Sequence, residues 1–196
     1  MSDIDSRTNL INVATPLFAE KGFNGVNVRE IAGVAGINVS MISYYFGGKE
    51  GLYGAVLSQQ FGSLQRVSEI ALLDIEPLEK FELYVRETIA RYRKNPYLLR
   101  FYTSELTNPT PCFATLVKPA IQGVVQILQK VFADGLAHRQ FREGLDPADT
   151  AIALAGMINF YFLLEPVTRE LVDHSPERDE ELTAHIMEIF RNGVLK

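Results

Sequence analysis

The sequence predicts an all-α protein, with an N-terminal three-helix domain that contains a helix-turn-helix and a larger helical domain after it. Apolar residues recur at spacings of three and four along nearly the whole chain, and no stretch alternates with period two for long enough to indicate a sheet. Glycine, asparagine and proline interrupt this pattern at positions typical of helix ends. We place the domain boundary after residue 48, which gives domains of residues 1–48 and 49–196.

Composition narrows the class of protein. The chain has 196 residues, of which 47% are apolar and 22% charged, as in globular proteins. Charged residues at the N-terminus do not fit a signal peptide, and no apolar run reaches about 18 residues, so we expect a cytoplasmic protein with no membrane partner. One cysteine, Cys112, excludes an internal disulfide. The net charge of −5 argues against a broad nucleic-acid-coating surface, so DNA binding would need a few well-placed contacts.

The first predicted helix covers about residues 6–21. Its apolar residues share one face, and Gly22 ends it after Lys21, a cation suited to the last turn. Pro16 lies inside the helix and removes an internal hydrogen bond, which predicts a bend there.

Two short helices follow. Asn27 with Glu30 three residues later predicts a capped start with a reciprocating carboxylate, for a helix that reaches about residue 34. Gly36 permits a tight turn, and Asn38 caps a second helix over about residues 39–45. Two short helices joined by a glycine-containing turn are typical of a helix-turn-helix.

The rest of the chain predicts longer helices. Pro109 and Pro111 place residues 107–113 in a loop, and prolines at 77, 147 and 176 lie at or near predicted first turns. The helices cover about residues 49–72, 77–94, 97–107, 113–137, 147 to 164 or a little past Pro166, and 176–192.

The second short helix has an unusual outer surface. On a helical wheel the side chains of Ile42 and Phe46 turn inward, and the side chains that turn outward are Val39, Ser40, Ser43 and Tyr44. Serine hydroxyls suit base edges in a major groove, valine suits a thymine methyl group, and tyrosine reaches phosphates. For Tyr45 and Phe46, plain core packing is an equally good interpretation. The helix that starts at Lys49 offers a cation and free N–H groups to an anion.

The N-terminal residues resemble a known family. The segment LINVATPLFAEKGFNGVNVREIAGVAGINVSMISYYFGGKEGLYGAVL, residues 10–57, is similar to the DNA-binding domain of tetracycline-repressor (TetR) family transcriptional regulators. The shared pieces are LFAEKGF, VREIAGVAGI, YYF and KEGLY, in the family's order and spacing. Two departures are Pro16, in a helix usually free of proline, and Ser43, where the family often has tyrosine.

The resemblance implies a function and a set of contacts. It implies a repressor that binds a palindromic double-stranded DNA operator as a homodimer and responds to a small, largely apolar or aromatic effector. Bases would be contacted from the recognition helix by Val39, Ser40 and Ser43. Phosphates would be contacted by Asn27, Arg29, Tyr44, Tyr45 and Lys49.

Effector binding and dimerisation would then fall to the later helices. Aromatic and polar side chains at helical spacing predict an effector pocket lined by Phe81, Tyr84, Tyr92, Phe101, Tyr102, Glu105 and Phe160. Plain core packing explains each of these residues singly as well. Small residues and an apolar stripe in the last two helices predict a dimer interface of Ala155, Gly156, Asn159, Leu182, Ile186, Ile189 and Phe190.

An enzyme is the rival class, and the motifs do not favour it. His138, His174 and His185 fit no metal or triad spacing, and we find no phosphate-binding glycine loop or nucleophile elbow. We therefore predict no catalytic residues, no metal and no cofactor. The alternative that stays open is a helical small-molecule-binding protein without a DNA-binding function.

Overall fold

A computed structural model describes residues 3–62 and 65–196 of the chain. These residues form helices and no strand, apart from an isolated bridge between Phe141 and Leu195, which confirms the all-α class. The helices are α1 (Asp3–Gly25), α2 (Val28–Ala35), α3 (Ser40–Phe46), α4 (Lys49–Gly62), α5 (Gln65–Ala71), α6 (Pro77–Lys94), α7 (Leu98–Thr107), a π-helix (Phe113–Val117), α8 (Lys118–Ala137), α9 (Pro147–Thr168), a 3₁₀ turn (Pro176–Arg178) and α10 (Asp179–Val194).

The first helix is longer than predicted, and its backbone departs from helical angles at a different residue. Within α1 the non-helical backbone angles lie at Gly22 (φ 70°, ψ 170°), where the first helix was predicted to end, and not at Pro16, where a bend was expected. Because glycine has no Cβ, Gly22 adopts the positive φ with little steric cost. Of the single helix predicted over residues 49–72, residues 49–62 (α4) and 65–71 (α5) are helical, and residues 63–64 between them lie outside the described residues.

The chain divides into two compact units. The first unit contains residues 3–62 together with 100–120, and the second contains residues 65–99 together with 121–196. The predicted domain boundary after residue 48 therefore lies inside the first unit, because α4, most of α7 and the π-helix pack with the N-terminal helices. Buried side chains at the centre of the first unit include Leu10, Phe18, Ile31, Ile42, Leu52 and Tyr53.

The second unit is built around an aromatic cluster. The ring of Phe81 lies 5.0 Å from that of Phe190 and 6.1 Å from that of Phe141, measured between centroids. Phe141 reaches the cluster by packing against the backbone of α8 at Gly135, where an added Cβ would lie 2.1 Å from the Phe141 ring. The close approach needs glycine at that position.

One helix of the second unit is more apolar than the sequence analysis expected. An 18-residue window of α9 has a mean hydropathy of 1.5, and 22% of that window is buried. By length and composition α9 is apolar enough to cross a membrane, so the expectation of no such run was wrong. Its apolar residues interrupted by Asn159 and Glu165 are equally typical of a helix that packs against protein.

Candidate DNA interface

The helix-turn-helix begins with a capped helix. The Asn27 side chain accepts a hydrogen bond from the Arg29 backbone N–H at 2.7 Å, which satisfies one of the free donors at the start of α2. The Glu30 carboxylate, expected to reciprocate, forms an ion pair with Lys21. At the other end Gly36 adopts a left-handed conformation (φ 67°) and turns the chain towards α3.

Asn38 fixes the start of the second helix and the orientation of the Ser40 hydroxyl, a candidate base contact. Its side-chain oxygen accepts from the Ser40 backbone N–H at 2.9 Å and from the Ser40 hydroxyl at 2.8 Å. Because this second bond uses the hydroxyl hydrogen, Ser40 presents acceptor lone pairs to solvent. In this arrangement Ser40 suits a base that donates a hydrogen bond.

The faces of α3 agree with the helical wheel. Ile42 is 1% exposed and fixes the helix to the core, whereas Tyr44 is 72% exposed and Val39 is 40% exposed. Ser40 and Ser43 are also exposed, so the predicted outward face is confirmed. Tyr45 and Phe46 are half-buried, and the ring of Tyr45 lies 5.1 Å from that of Tyr44. Tyr45 thus partly serves to support Tyr44.

A groove of about 420 Å³ joins the starts of α2 and α4 to the outer face of α3. It is open to solvent and brings together four of the predicted contact residues. These are Asn27, Val39, Ser43 and Lys49. Arg29 and Tyr44 are exposed on the helices that form the groove. The arrangement offers a cation, helix N-termini and short polar side chains on one surface, which suits a DNA backbone beside base edges.

Aromatic rings contact two cations near this surface. The Lys49 ammonium lies 4.6 Å from the centre of the Phe23 ring, and the Arg7 guanidinium lies 5.1 Å from that of Phe46. Such contacts stabilise a cation by about 0.5–1 kcal/mol at exposed sites and limit where it points. The sequence analysis did not single out Arg7. No short-range signal identifies it, because its partner is 39 residues away along the chain.

The residues predicted for an effector pocket are distributed over both units. In the second unit, Phe81 and Tyr84 are buried in the core, and Tyr92 donates a hydrogen bond to the Asn159 side chain at 2.5 Å. Phe160 is 59% exposed on α9. In the first unit the predicted residues are Phe101, Tyr102 and Glu105.

Glu105 differs from its predicted role as an accessible pocket wall. It is completely buried, and its carboxylate accepts hydrogen bonds from Tyr53 and Thr110. Phe101 is buried beside Tyr53, with 6.1 Å between the ring centroids. Tyr102 is half-buried, and burial raises the pKa of its phenol. Of these three, only Tyr102 keeps substantial exposure within its own unit.

The predicted dimer residues also separate by location. Gly156 is exposed and Ala155 half-buried on α9, whereas Asn159 accepts from Tyr92 of the same chain. On α10, Ile186 and Phe190 fill the core of their own unit with Leu182 packed beside them. The α10 stripe therefore packs within the chain, and Ile189 is the member that stays exposed, at 51%.

No group of three metal-binding side chains occurs in the parts of the chain that the structure describes. Cys112 is buried. Burial raises the pKa of its thiol, and the Glu50 and Glu105 carboxylates raise it further.

Comparison with known proteins identifies the family. Residues 10–56 match the family model for bacterial regulatory proteins of the tetR family, and residues 77–190 match the model for the tetracyclin repressor-like C-terminal domain. The second match alone covers more than half of the 196 residues. The chain belongs to the TetR family of transcriptional regulators.

Known transcriptional regulators are similar to this chain over four-fifths of its length or more. A probable HTH-type transcriptional regulator of Bacillus subtilis, YttP, is 26% identical over 97% of this chain and 96% of its own length. The HTH-type transcriptional repressor NicS of Pseudomonas putida is 26% identical over 80% of this chain and 75% of its own. The structure of Bacillus subtilis FadR in complex with stearoyl-CoA has a TM-score of 0.76 at 20% identity, covering 95% of this chain and 98% of that one. The prediction of a DNA-binding regulator rather than an enzyme is confirmed.

Proposed function

We propose that this TetR-family protein is a homodimeric repressor that binds a palindromic operator and responds to a small, largely apolar or aromatic effector. The observation that carries the proposal is the exposed polar face of α3 beside the groove that joins Asn27, Ser43 and Lys49. Base reading is assigned to Val39, Ser40 and Ser43. Phosphate binding is assigned to Asn27, Arg29, Tyr44, Tyr45 and Lys49. A protein that binds a chromosomal operator acts in the cytoplasm, and we assign it there.

The exposed face of α9 supports the homodimer. Four apolar side chains of α9 lie at spacings of eight, three and four residues, and each is at least 44% exposed in the single chain. They are Ile152, Phe160, Leu163 and Val167. Gly156 lies on the same face, with open space where a Cβ would be. An apolar helix face of this kind needs a partner. We assign a second copy of the chain rather than a membrane, because Asn159 and Glu165 interrupt the apolar run.

The interior of the second unit supports an effector site. The Thr88 hydroxyl of α6 is buried and has no hydrogen-bond partner among the described residues. Buried polar groups normally have a hydrogen-bond partner, so this hydroxyl is available to a ligand bound inside the unit. Two solved structures of similar fold are complexes with acyl-CoA thioesters: FadR of Bacillus subtilis with stearoyl-CoA, and AibR with isovaleryl coenzyme A and operator DNA. Acyl-CoA thioesters are therefore the effector class that we propose to test first.

The test begins with selection of bound DNA from a randomised pool by the full-length protein. We expect enrichment of one motif with two inverted half-sites, since a two-fold dimer presents two recognition helices to successive major grooves. Sedimentation of the protein with the selected fragment then gives the stoichiometry, expected as two chains per site. A series of acyl-CoA thioesters of increasing chain length, with free CoA as the control, is added to the complex. Failure to enrich any motif would contradict the assignment to operator binding.

A further inference from the structure

Glu105 is a carboxylate in the interior of the first unit. It is 0% exposed, although it lies on α7, far along the chain from the helix-turn-helix. A buried carboxylate is unfavourable unless donors surround it. Its presence there calls for an explanation beyond filling space, since an apolar residue would fill the same volume at no electrostatic cost.

Three donors converge on this carboxylate. The Tyr53 hydroxyl of α4 donates to Oε1 at 2.8 Å. The Thr110 backbone N–H and hydroxyl donate to Oε2 at 3.3 Å and 3.1 Å. Glu105 therefore ties α4 to α7 and to the loop before the π-helix.

Tyr53 connects this carboxylate to the candidate DNA interface. It lies on α4 four residues after Lys49, one helical turn from the start of that helix. The Tyr53 ring centroid is 5.0 Å from that of Phe23. The Lys49 ammonium lies 4.6 Å from the centre of the same Phe23 ring. The contacts form a continuous series from Glu105 through Tyr53 and Phe23 to Lys49. Burial and the neighbouring Glu105 raise the pKa of Tyr53, so its hydroxyl stays a donor.

We propose that Glu105 is a positioning residue for operator binding, which acts through Tyr53 to hold the start of α4 and the Lys49 ammonium in the orientation that binds DNA. Glu105 itself does not touch the operator. The proposal rests on the proposed function and adds to it a residue outside the helix-turn-helix.

The test compares Tyr53→Phe, Glu105→Gln and the double variant. Tyr53→Phe keeps the ring and removes only the hydroxyl. Glu105→Gln replaces one of the two accepting oxygens by an amide nitrogen, which donates and so cannot accept from Tyr53 or Thr110 at that position. Dissociation constants for the selected operator are measured at a temperature where circular dichroism shows every variant folded. We expect binding about 3- to 10-fold weaker for each single variant, because a smaller fraction of molecules holds α4 in the competent orientation. The double variant should bind the operator no more weakly than the weaker-binding of the two single variants, because both changes break the same contact.

Two controls separate positioning from stability. Gly135→Ala disturbs the core of the second unit at Phe141 and should lower the melting temperature without changing operator affinity. Tyr161→Phe removes a tyrosine hydroxyl that donates to the Asp173 backbone carbonyl, also in the second unit, and should leave operator affinity unchanged.

The inference would be overturned if Tyr53→Phe bound the operator with wild-type affinity. It would also be overturned if the fold-losses of affinity of the two single variants multiplied in the double variant. Either result would leave the proposed operator binding intact. A wild-type protein that selects no DNA would instead remove the proposed function and this inference with it.

Discussion

A Cβ atom at Gly51 would lie 1.8 Å from the backbone carbonyl oxygen of Phe46. Phe46 is the last residue of α3, and Gly51 lies in the first turn of α4. The backbones of the two helices approach so closely at this point that only glycine fits. This contact fixes the end of the recognition helix against the helix that carries Lys49.

Gly51→Ala should therefore displace α3. Alanine favours the helix by about 1 kcal/mol over glycine, but the clash is with backbone atoms that cannot rotate away. We expect a lower melting temperature and at least about tenfold weaker operator binding. The matched control is Gly54→Ala on the same helix, where the nearest atoms to an added Cβ lie at 3.6 Å and 3.7 Å. Equal behaviour of the two variants in thermal melts and binding would contradict the close packing at Gly51.

Lys49→Ala should weaken binding to all sequences. Loss of one phosphate contact reduces the slope of log affinity against log salt by about one and leaves the preferred motif unchanged. Titrations at three or more salt concentrations measure the slope. Lys130→Ala, which removes an exposed lysine of α8, is the control and should keep the wild-type slope. A changed motif in Lys49→Ala would mean that this residue reads sequence.

Ser43→Ala should act on specificity instead. Removing a hydroxyl that contacts a base edge relaxes the preference at one or two base pairs of each half-site and costs up to about 1–3 kcal/mol for the cognate sequence. Tyr44→Phe, next to it on the exposed face, should cost about 1 kcal/mol with the salt slope and the motif unchanged. Selection from the randomised pool with both variants separates the two outcomes. An intact motif in Ser43→Ala would assign sequence reading to other residues.

Gly156→Glu should separate the protomers. In the single chain nothing lies within 4 Å of the position of an added Cβ, so the variant should fold. In a dimer held by the α9 face, the carboxylate would be buried without a partner, at a cost of about 3–5 kcal/mol. Analytical ultracentrifugation should show monomers with a wild-type circular dichroism spectrum. Gly123→Glu on α8, where an added Cβ also meets nothing, is the control. A stable dimer of Gly156→Glu would exclude this face.

Cys112 should react slowly with thiol reagents in the folded protein. Burial first, and then the carboxylates of Glu50 and Glu105, raise the pKa of its thiol. The reactive thiolate is thus scarcer at neutral pH than in an exposed cysteine. Labelling with Ellman's reagent should be much slower in buffer than in guanidinium chloride, and mild peroxide should leave operator binding unchanged. Rapid labelling of the native protein would contradict the burial of this thiol.

The helix-turn-helix was predictable because its signals are local. Asn27, Gly36 and Asn38 cap and turn the chain through contacts within a few residues, so the sequence contains both partners of each interaction. The outward face of α3 followed from helical spacing alone, and the burial of Ile42 confirms it.

The dimer and pocket residues were harder to predict, because the same sequence pattern fits either packing within the chain or contact with a partner or ligand. An apolar stripe on α10 looks the same whether it meets its own core or a second chain, and Ile186 and Phe190 fill the core. Glu105 matched the spacing of a pocket wall, but its partner Tyr53 is 52 residues away and only folding brings the two together. The exposure of Phe160 likewise depends on which turn of α9 the other helices cover.

The sequence by itself determined the all-α class, the helix-turn-helix with its exposed Ser40, Ser43 and Tyr44, and the resemblance to TetR-family regulators. These depend on caps, turns and periodicity, which act over one or two helical turns. Only the tertiary structure decided that Phe23 lies under Lys49, that Gly51 meets Phe46, and that Glu105 holds Tyr53. Two of these contacts join residues 26 and 52 positions apart, and the third joins two helices across a turn. No periodic pattern in the sequence indicates such pairs, because close packing selects partners by shape and distance.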